Sequence, residues 1–491
     1  MPAGDDPEVA VTFAAVKSWR AAALVFGSSA AILMLEILAG RLMAPYVGVS
    51  LETFTGIIGT VLAGIAIGAA MGGVLADRLD PRPFIGPALL VGGALTWASL
   101  PILRVLGPNV GTGPVAIVVL TAAAFLGPAT VLSAVTPMVT KLRLHSLEET
   151  GSVVGRLSAA GTFGALAGTY LTGFVLVAAL PSRPVVILIG ALLIVAGTIV
   201  SWRLGSLGSP GVVALALVIA GVGAVMLPPP CERETAYFCM RVEPDAERSS
   251  GRSLILDQVR HAYADLEDPT HLELRYVRLV ESVTETMATG PLDVLHIGGG
   301  GFTYPRYLQA VRPGSQQMVL EIDGELVDVA RDQLGLDDEA GLDIRVGDAR
   351  TALADLPTDG FDLIVGDAFA STSVPWHLTT VEVMAQLHRM LRPGGVYVMN
   401  VIDGGESRYA RAQLATLAEE FDHVEAIVPP DGIPGDSRVN QILVASQAPL
   451  ATIRPAAADG VVLNEQKVRD YVDGADPLTD DHAPVDQLLL G

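Results

Sequence analysis

Apolar positions over the first 228 residues run together instead of alternating with polar ones. Seven stretches, at roughly 21–40, 53–75, 84–103, 114–139, 158–180, 184–202 and 211–228, are nearly free of charge. Each is close to the ~20 residues that cross the hydrocarbon core of a bilayer. They predict a multi-pass α-helical membrane domain of about seven spans over residues 1–228. The first stretch is followed by Glu36, Gly40 and Arg41 rather than a small-residue cleavage site, and it leads into another span. It is therefore expected to stay in the mature chain. Glycines at helical spacing, Gly64, Gly68 and Gly72 in one span and Gly161, Gly164 and Gly168 in another, predict close helix packing. Glu36 inside the first span is expected either in the bundle or at an interface beside Arg41.

The pattern changes after residue 228. From about 290, short apolar runs alternate with amphipathic segments: strands are predicted at 292–297, 317–322, 343–347, 361–366, 395–401, 423–428 and 439–445, with helices between most of them. This is the rhythm of a Rossmann-like α/β domain over residues 290–491. Ahead of it, 229–289 reads as a small β-rich region, with strands at 235–242 and 253–256 and a helix around 270–287.

Charge sharpens the division. Eleven basic and nine acidic residues give +2 up to residue 227, whereas twenty basic and forty-four acidic residues give −24 beyond it. A domain this acidic repels phosphate, so nucleic acid is excluded as a partner, while the apolar half calls for a lipid bilayer. With the N-terminus inside the cytoplasm, eight Lys and Arg residues fall in inner segments (Lys17, Arg20, Arg78, Arg82, Lys141, Arg143, Arg156 and Arg203) against three outside (Arg41, Arg104 and Arg183). An odd span count then places the acidic domain outside the cytoplasm, and a change of one span reverses that side. Two cysteines, Cys231 and Cys239, follow the last span. A bridge suits an oxidising compartment, but eight residues of straight strand would hold the thiols apart unless a turn intervened. Two thiols without a nearby His predict no metal site.

Candidate chemistry sits at the carboxyl ends of the predicted strands, where ligands bind in open α/β sheets. Gly298, Gly299, Gly300 and Gly301 follow the first strand, Glu321 ends the second, Asp348 and Ala349 follow the third, and Asp367 follows the fourth. Such a glycine loop admits close backbone approach of a ligand, and an acid ending the second strand can accept ribose hydroxyls. The missing Gly-x-Gly-x-x-Gly spacing argues against a nicotinamide cofactor.

This order of motifs resembles S-adenosylmethionine-type transferases. Among these it is similar to the spermidine synthase family of polyamine aminopropyltransferases, in its membrane-fused bacterial form. The resemblance is carried over residues 232–447 by Glu234–Tyr237, Met240–Val242, Leu254–Asp257, Tyr276, Val294–Gly300, Val319–Asp323, Gly347–Asp348, Ile364–Asp367 and Leu391–Val398, and by the ending Leu478–Asp486. It implies an α/β transferase fold, S-adenosylmethionine or its decarboxylated form as co-substrate, a small-molecule amine as acceptor, and a homodimer. It also implies that Glu321 holds the ribose, Asp348 the adenine amino group, and that Asp367 faces the reacting centre.

The chain departs from the family's pattern at several positions. Gly301 and Ala370 stand where the family carries acids, His261 replaces a Gln, and Tyr276-Val277-Arg278 replaces Tyr-His-Glu. Asp367, His261 and Tyr276 are the remaining candidates for catalysis, since a His near neutral pKa can act as a base. Asp480, Asp481 and His482 are candidates for a tail that folds over the site, and Arg306 for binding the carboxylate of the intact donor. His377 and Asn400 are further, weaker candidates. Three functions stay open: an aminopropyltransferase, a methyl or other alkyl transferase, and a non-catalytic nucleoside- or polyamine-binding module coupled to the membrane part. S-adenosyl donors are cytosolic, so a domain outside would need its ligand exported.

Overall fold

A computed structural model describes residues 18–111, 113–144, 146, 148–204, 221–337, 341–369, 374–430, 432 and 438–489. The chain divides into two compact units, with the break between Pro229 and Pro230.

The first unit is helical. Six helices among the described residues are long and apolar enough to cross a membrane: α1 (Ser18–Val47), α2 (Leu51–Arg78), α3 (Arg82–Val110), α4 (Pro114–Arg143), α5 (Thr150–Ala179) and α6 (Ser182–Leu204). The span expected at 211–228 falls largely outside the described residues; of it, 221–226 is helical. The glycine series act as close-packing faces. A Cβ on Gly72 would lie 2.6 Å from the Ala134 carbonyl oxygen of α4, and one on Gly68 would collide with Thr130 and Ser133. Gly164 and Gly168 of α5 meet the backbone of α1 at Phe26 and Ala30 in the same way. Glu36 is half-buried on α1.

The second unit holds two sheets. A four-stranded antiparallel sheet runs in chain order: β1 (Arg233–Glu234), β2 (Cys239–Pro244), β3 (Gly251–Leu256) and β4 (Val259–Asp265). The strand expected at 235–242 is broken by a turn. The Thr235 hydroxyl accepts the Tyr237 and Phe238 amides, and Thr235 N–H donates to the Phe238 carbonyl. This turn pairs Glu234 with Cys239 and brings the two cysteines to a Cα separation of 5.2 Å, where they form a disulfide.

The large sheet has eight strands: β5 (Asp293–Ile297), β6 (Gln316–Glu321), β7 (Leu342–Val346), β8 (Phe361–Gly366), β9 (Leu391–Asp403), β10 (His423–Val428), β11 (Val439–Ser446) and β12 (Val461–Leu463). They are ordered β12-β10-β11-β9-β8-β5-β6-β7. β5 to β9 are parallel neighbours, while β11 inserts antiparallel between β9 and β10. Short runs buried on both faces, such as Asp293–Ile297, suit central parallel strands. The helices are α7 (Arg275–Thr284), α8 (Thr303–Val311), α9 (Gly324–Gln333), α10 (Ala349–Leu353), α11 (Val381–Met390), α12 (Arg408–Glu420), α13 (Glu465–Val472) and α14 (Val485–Leu489). Val277, Val280 and Val283 of α7 and Leu308 of α8 cover one sheet face with Val294, Leu363 and Val398. Residues of α10, α11 and α12 fill the other face around Leu295, Ile364 and Val401. The helix foreseen around 270–287 thus belongs to the core of the large sheet.

The chain leaves β5 towards β6 and β7, then returns to place β8 on the opposite side of β5. The carboxyl ends of β5 and β8 therefore flank the switch point of the sheet, where a crevice opens in this topology.

Candidate active site

The site starts from the loop that follows β5. Gly298 N–H donates to the Leu320 carbonyl (2.8 Å), and Asp367 N–H to the Ile297 carbonyl (2.8 Å), so the two strand ends are tied together. Gly298 has φ +96°, and a Cβ there would collide with the Asp367 carbonyl. Gly301 lies against β4, where a Cβ would come 2.5 Å from that of Ala262. The glycine run thus allows a left-handed backbone and a close approach on both sides of the loop.

Glu321 closes β6 with its side chain buried. One carboxylate oxygen accepts Gly299 N–H (2.8 Å) and Gly300 N–H (3.3 Å), and the other accepts Asp323 N–H (3.0 Å). Burial pushes this carboxyl up, and the three amides oppose the shift by stabilising its charge. Asp323 caps α9 and receives the Thr235 hydroxyl at 2.5 Å, which links the small sheet to this strand end.

Asp348 follows β7 and caps α10, which begins at Ala349; its side chain accepts Thr351 N–H, and the His377 Nε2 stands 3.3 Å away. Arg350 then gathers the tail: it donates to the His377 carbonyl and reaches Asp480 at 2.6 Å, while Thr380 donates to the same Asp480 carboxylate at 2.7 Å. The ending singled out in the sequence therefore folds back beside the Asp348 loop. Asp481 and His482 are exposed there and do not line the cavity below.

Asp367 follows β8 and lines a cavity of about 270 Å³, bordered by Gly298–Gly301, His261, Tyr276, His296, Phe369, Asn400 and Asn440. Its carboxylate accepts the Asn400 amide at 2.8 Å and is hydrogen-bonded to the Tyr276 hydroxyl. Asn440 donates in turn to the Asn400 oxygen at 3.0 Å. Burial raises the Asp367 carboxyl, and these two donors pull it back. Tyr276 is raised well above the ordinary phenol value by its own burial and by Asp367, so it remains a proton donor. His296, buried against Gln317 at 2.8 Å, is lowered to about 4 and is neutral.

The structure thus brings His261, Tyr276, Asp367 and Gly298–Gly300 together around one cavity, with Asn400 as a partner of Asp367. Arg306 does not line it. Its guanidinium, on the first turns of α8, donates to the Asp265 carbonyl at 3.0 Å, which takes it away from the place where a donor carboxylate was expected. The helical register explains this: Thr303, Tyr304 and Pro305 reach the cavity and the next residue turns aside. Ala370, one of the replaced acids, lies outside the described residues. The sequence reading missed Arg260, Arg275, Arg438 and Asn440, which border the same cavity from three separate segments.

Residues 295–399 match a family model described as a methyltransferase domain. The chain is 30% identical over 137 residues to the "Probable polyamine aminopropyl transferase" of Bifidobacterium longum, covering 28% of this chain and 30% of that protein. It is 31% identical over 112 residues to the polyamine aminopropyltransferase of Vibrio vulnificus, covering 22% of this chain and 38% of that one. The C-terminal half resembles the polyamine aminopropyltransferases. A crystal structure of a probable spermidine synthase from Corynebacterium glutamicum aligns with 50% of this chain and 94% of its own, at 29% identity and a TM-score of 0.47. The match spans only about a third of the length of the first two curated relatives, and the apolar helices of the N-terminal region fit a fused form of such proteins.

Proposed function

We propose that the C-terminal half is an S-adenosylmethionine-type transferase joined to a membrane domain, and that it moves an aminopropyl group from decarboxylated S-adenosylmethionine to an amine held in the cavity beside Asp367. The observation that carries this reading is the convergence of the glycine loop, Glu321 and Asp367 at the switch point of the sheet. In the reaction the amine lone pair attacks the carbon next to the sulfonium. The C–S pair leaves on sulfur as a neutral thioether, and the new ammonium gives up one proton. Asp367, raised by burial and held by Asn400 and Tyr276, is the group suited to take that proton or to orient the amine. Methyl or other alkyl transfer is the second reading, supported by the methyltransferase-domain match and by Gly301 standing where the aminopropyltransferase pattern has an acid. The Cys231–Cys239 disulfide supports placing this half on an oxidising side of the membrane.

The test is calorimetry on the full chain in detergent with intact and decarboxylated S-adenosylmethionine, repeated with Glu321→Ala. Preference for the decarboxylated donor, weakened by about ten-fold or more in the variant, supports aminopropyl transfer. Preference for the intact donor moves the assignment to methyl or alkyl transfer. No binding of either removes the transferase reading.

A further inference from the structure

The cavity beside Asp367 carries a charge opposite to that of the half that contains it. Among the described residues three arginines line it, Arg260 from β4, Arg275 from the start of α7 and Arg438 just ahead of β11, against one carboxylate, Asp367. That carboxylate is already engaged by Asn400 and Tyr276, and His296 in the same wall is neutral. Each arginine has local partners. Arg260 stands 3.8 Å from Glu273, Arg275 donates to the Asn440 carbonyl at 3.1 Å, and Arg438 donates to the Leu489 carbonyl at 2.8 Å. Arg275 also acts at a distance on Asp459, and Arg438 on Asp403. None of these acids lines the cavity.

A diamine is charged at both ends, and among the described residues of this wall it would meet three guanidiniums and one acid. Like charges a few ångströms apart repel at the effective dielectric of a protein surface. A carboxylate meets the opposite situation, because guanidinium presents a planar fork of donors that matches it in two bonds at once. The Asn440 carbonyl occupies one of the five N–H donors of Arg275, and Asn440 itself leads through Asn400 to Asp367. An acceptor with an amine at one end and an anion at the other fits both poles of this cavity.

Building on the transferase reading above, we infer that the acceptor carries a carboxylate, anchored by Arg275 with Arg260 and Arg438 around it, and presents its amine towards Asp367. The cavity thus selects an amino acid-like acceptor over a diamine.

The full chain in detergent, saturated with 5′-methylthioadenosine as a carboxylate-free donor mimic, is titrated with 4-aminobutyrate, glutarate and putrescine. The expected result is 4-aminobutyrate binding about ten-fold or more tightly than putrescine. Arg275→Gln is expected to weaken 4-aminobutyrate about five-fold or more while nucleoside affinity stays within about two-fold. Arg260→Gln acts in the same direction and serves as the second variant. Tighter putrescine binding, no binding of either carboxylate, or indifference to both substitutions overturns the inference. So does a carboxylate effect confined to intact over decarboxylated S-adenosylmethionine, which would assign the arginines to the donor. Failure of 5′-methylthioadenosine to bind overturns the transferase reading itself, and the acceptor assignment falls with it.

Discussion

The glycine-loop side and the arginine side of one cavity are built by different rules. On the first side, backbone groups dominate: Gly298, Gly299 and Gly300 and the amides received by Glu321 lie within strand-end turns, and their positions follow from the parallel order β6-β5-β8. On the second, side chains dominate, and Arg260, Arg275, Arg438 and Asn440 arrive from β4, α7 and the approach to β11. The first arrangement is tied to the fold and matches the family pattern. The second can change by single substitutions without disturbing the sheet. The backbone side of this cavity can thus be kept while the charge of its side-chain side changes.

The largest effect should come from breaking the backbone side. Gly298→Val places a branched side chain at φ +96° and against the Asp367 carbonyl. Strain of about 1–3 kcal/mol plus the clash should lower the melting temperature of the full chain by several degrees and abolish nucleoside binding in calorimetry. Unchanged binding would show that the loop does not approach the donor.

The next effect is a pH dependence of stability centred on His296. Its pKa falls from 6.5 in the unfolded chain to about 4 in the buried site, so the unfolded state binds the extra proton between these values. Stability is therefore full above about pH 6.5 and declines as pH falls towards 4, by up to about 3 kcal/mol. Melting curves of His296→Asn should lose that slope, although the variant is less stable at neutral pH.

Asp367 has the opposite sign. Burial holds its carboxyl above the ordinary 3.8, so the folded state binds the proton more tightly and loses stability as pH rises through the ordinary carboxylate range. Asp367→Asn keeps an oxygen to accept the Asn400 amide and removes the charge. Its melting temperature relative to the parent should therefore rise from about pH 4 towards neutrality. A constant difference would place the carboxylate in a better-solvated setting than its surroundings indicate.

The smallest effect belongs to the tail. Asp480→Ala removes the contacts to the partly exposed Arg350 and to the hydroxyl of the buried Thr380, and should cost about 1 kcal/mol in thermal melting with donor affinity changed less than about three-fold. A larger loss of affinity would make the tail part of the donor site.

The strand-end positions of Gly298–Gly300, Glu321, Asp348 and Asp367 were legible because the apolar runs fix the strand boundaries. Seven of the eight strands of the large sheet lie within a few residues of their predicted places. The exception, Val461–Leu463, is too short and too exposed to leave an alternating pattern. Strand β4 was missed for a related reason: Arg260 and His261, which border the cavity with Val259 and Ala262, interrupt the apolar run that would mark it. Arg306 was misread because one helical step separates it from Pro305, which does reach the cavity.

The order of apolar and polar positions was enough to divide this chain into a helical unit of membrane-spanning length and an acidic α/β unit, since burial against lipid or against a sheet imposes its period locally. It was also enough to name the acids at the strand ends. Tertiary structure alone decided the rest. A turn at Thr235 joined two cysteines that a straight strand would have separated, and an antiparallel β11 carried Asn440 to Asn400. The arginines of one wall came from segments up to 178 positions apart, Arg260 to Arg438. Charge in a cavity is a sum over residues that meet only when the chain has folded, and no local pattern records it.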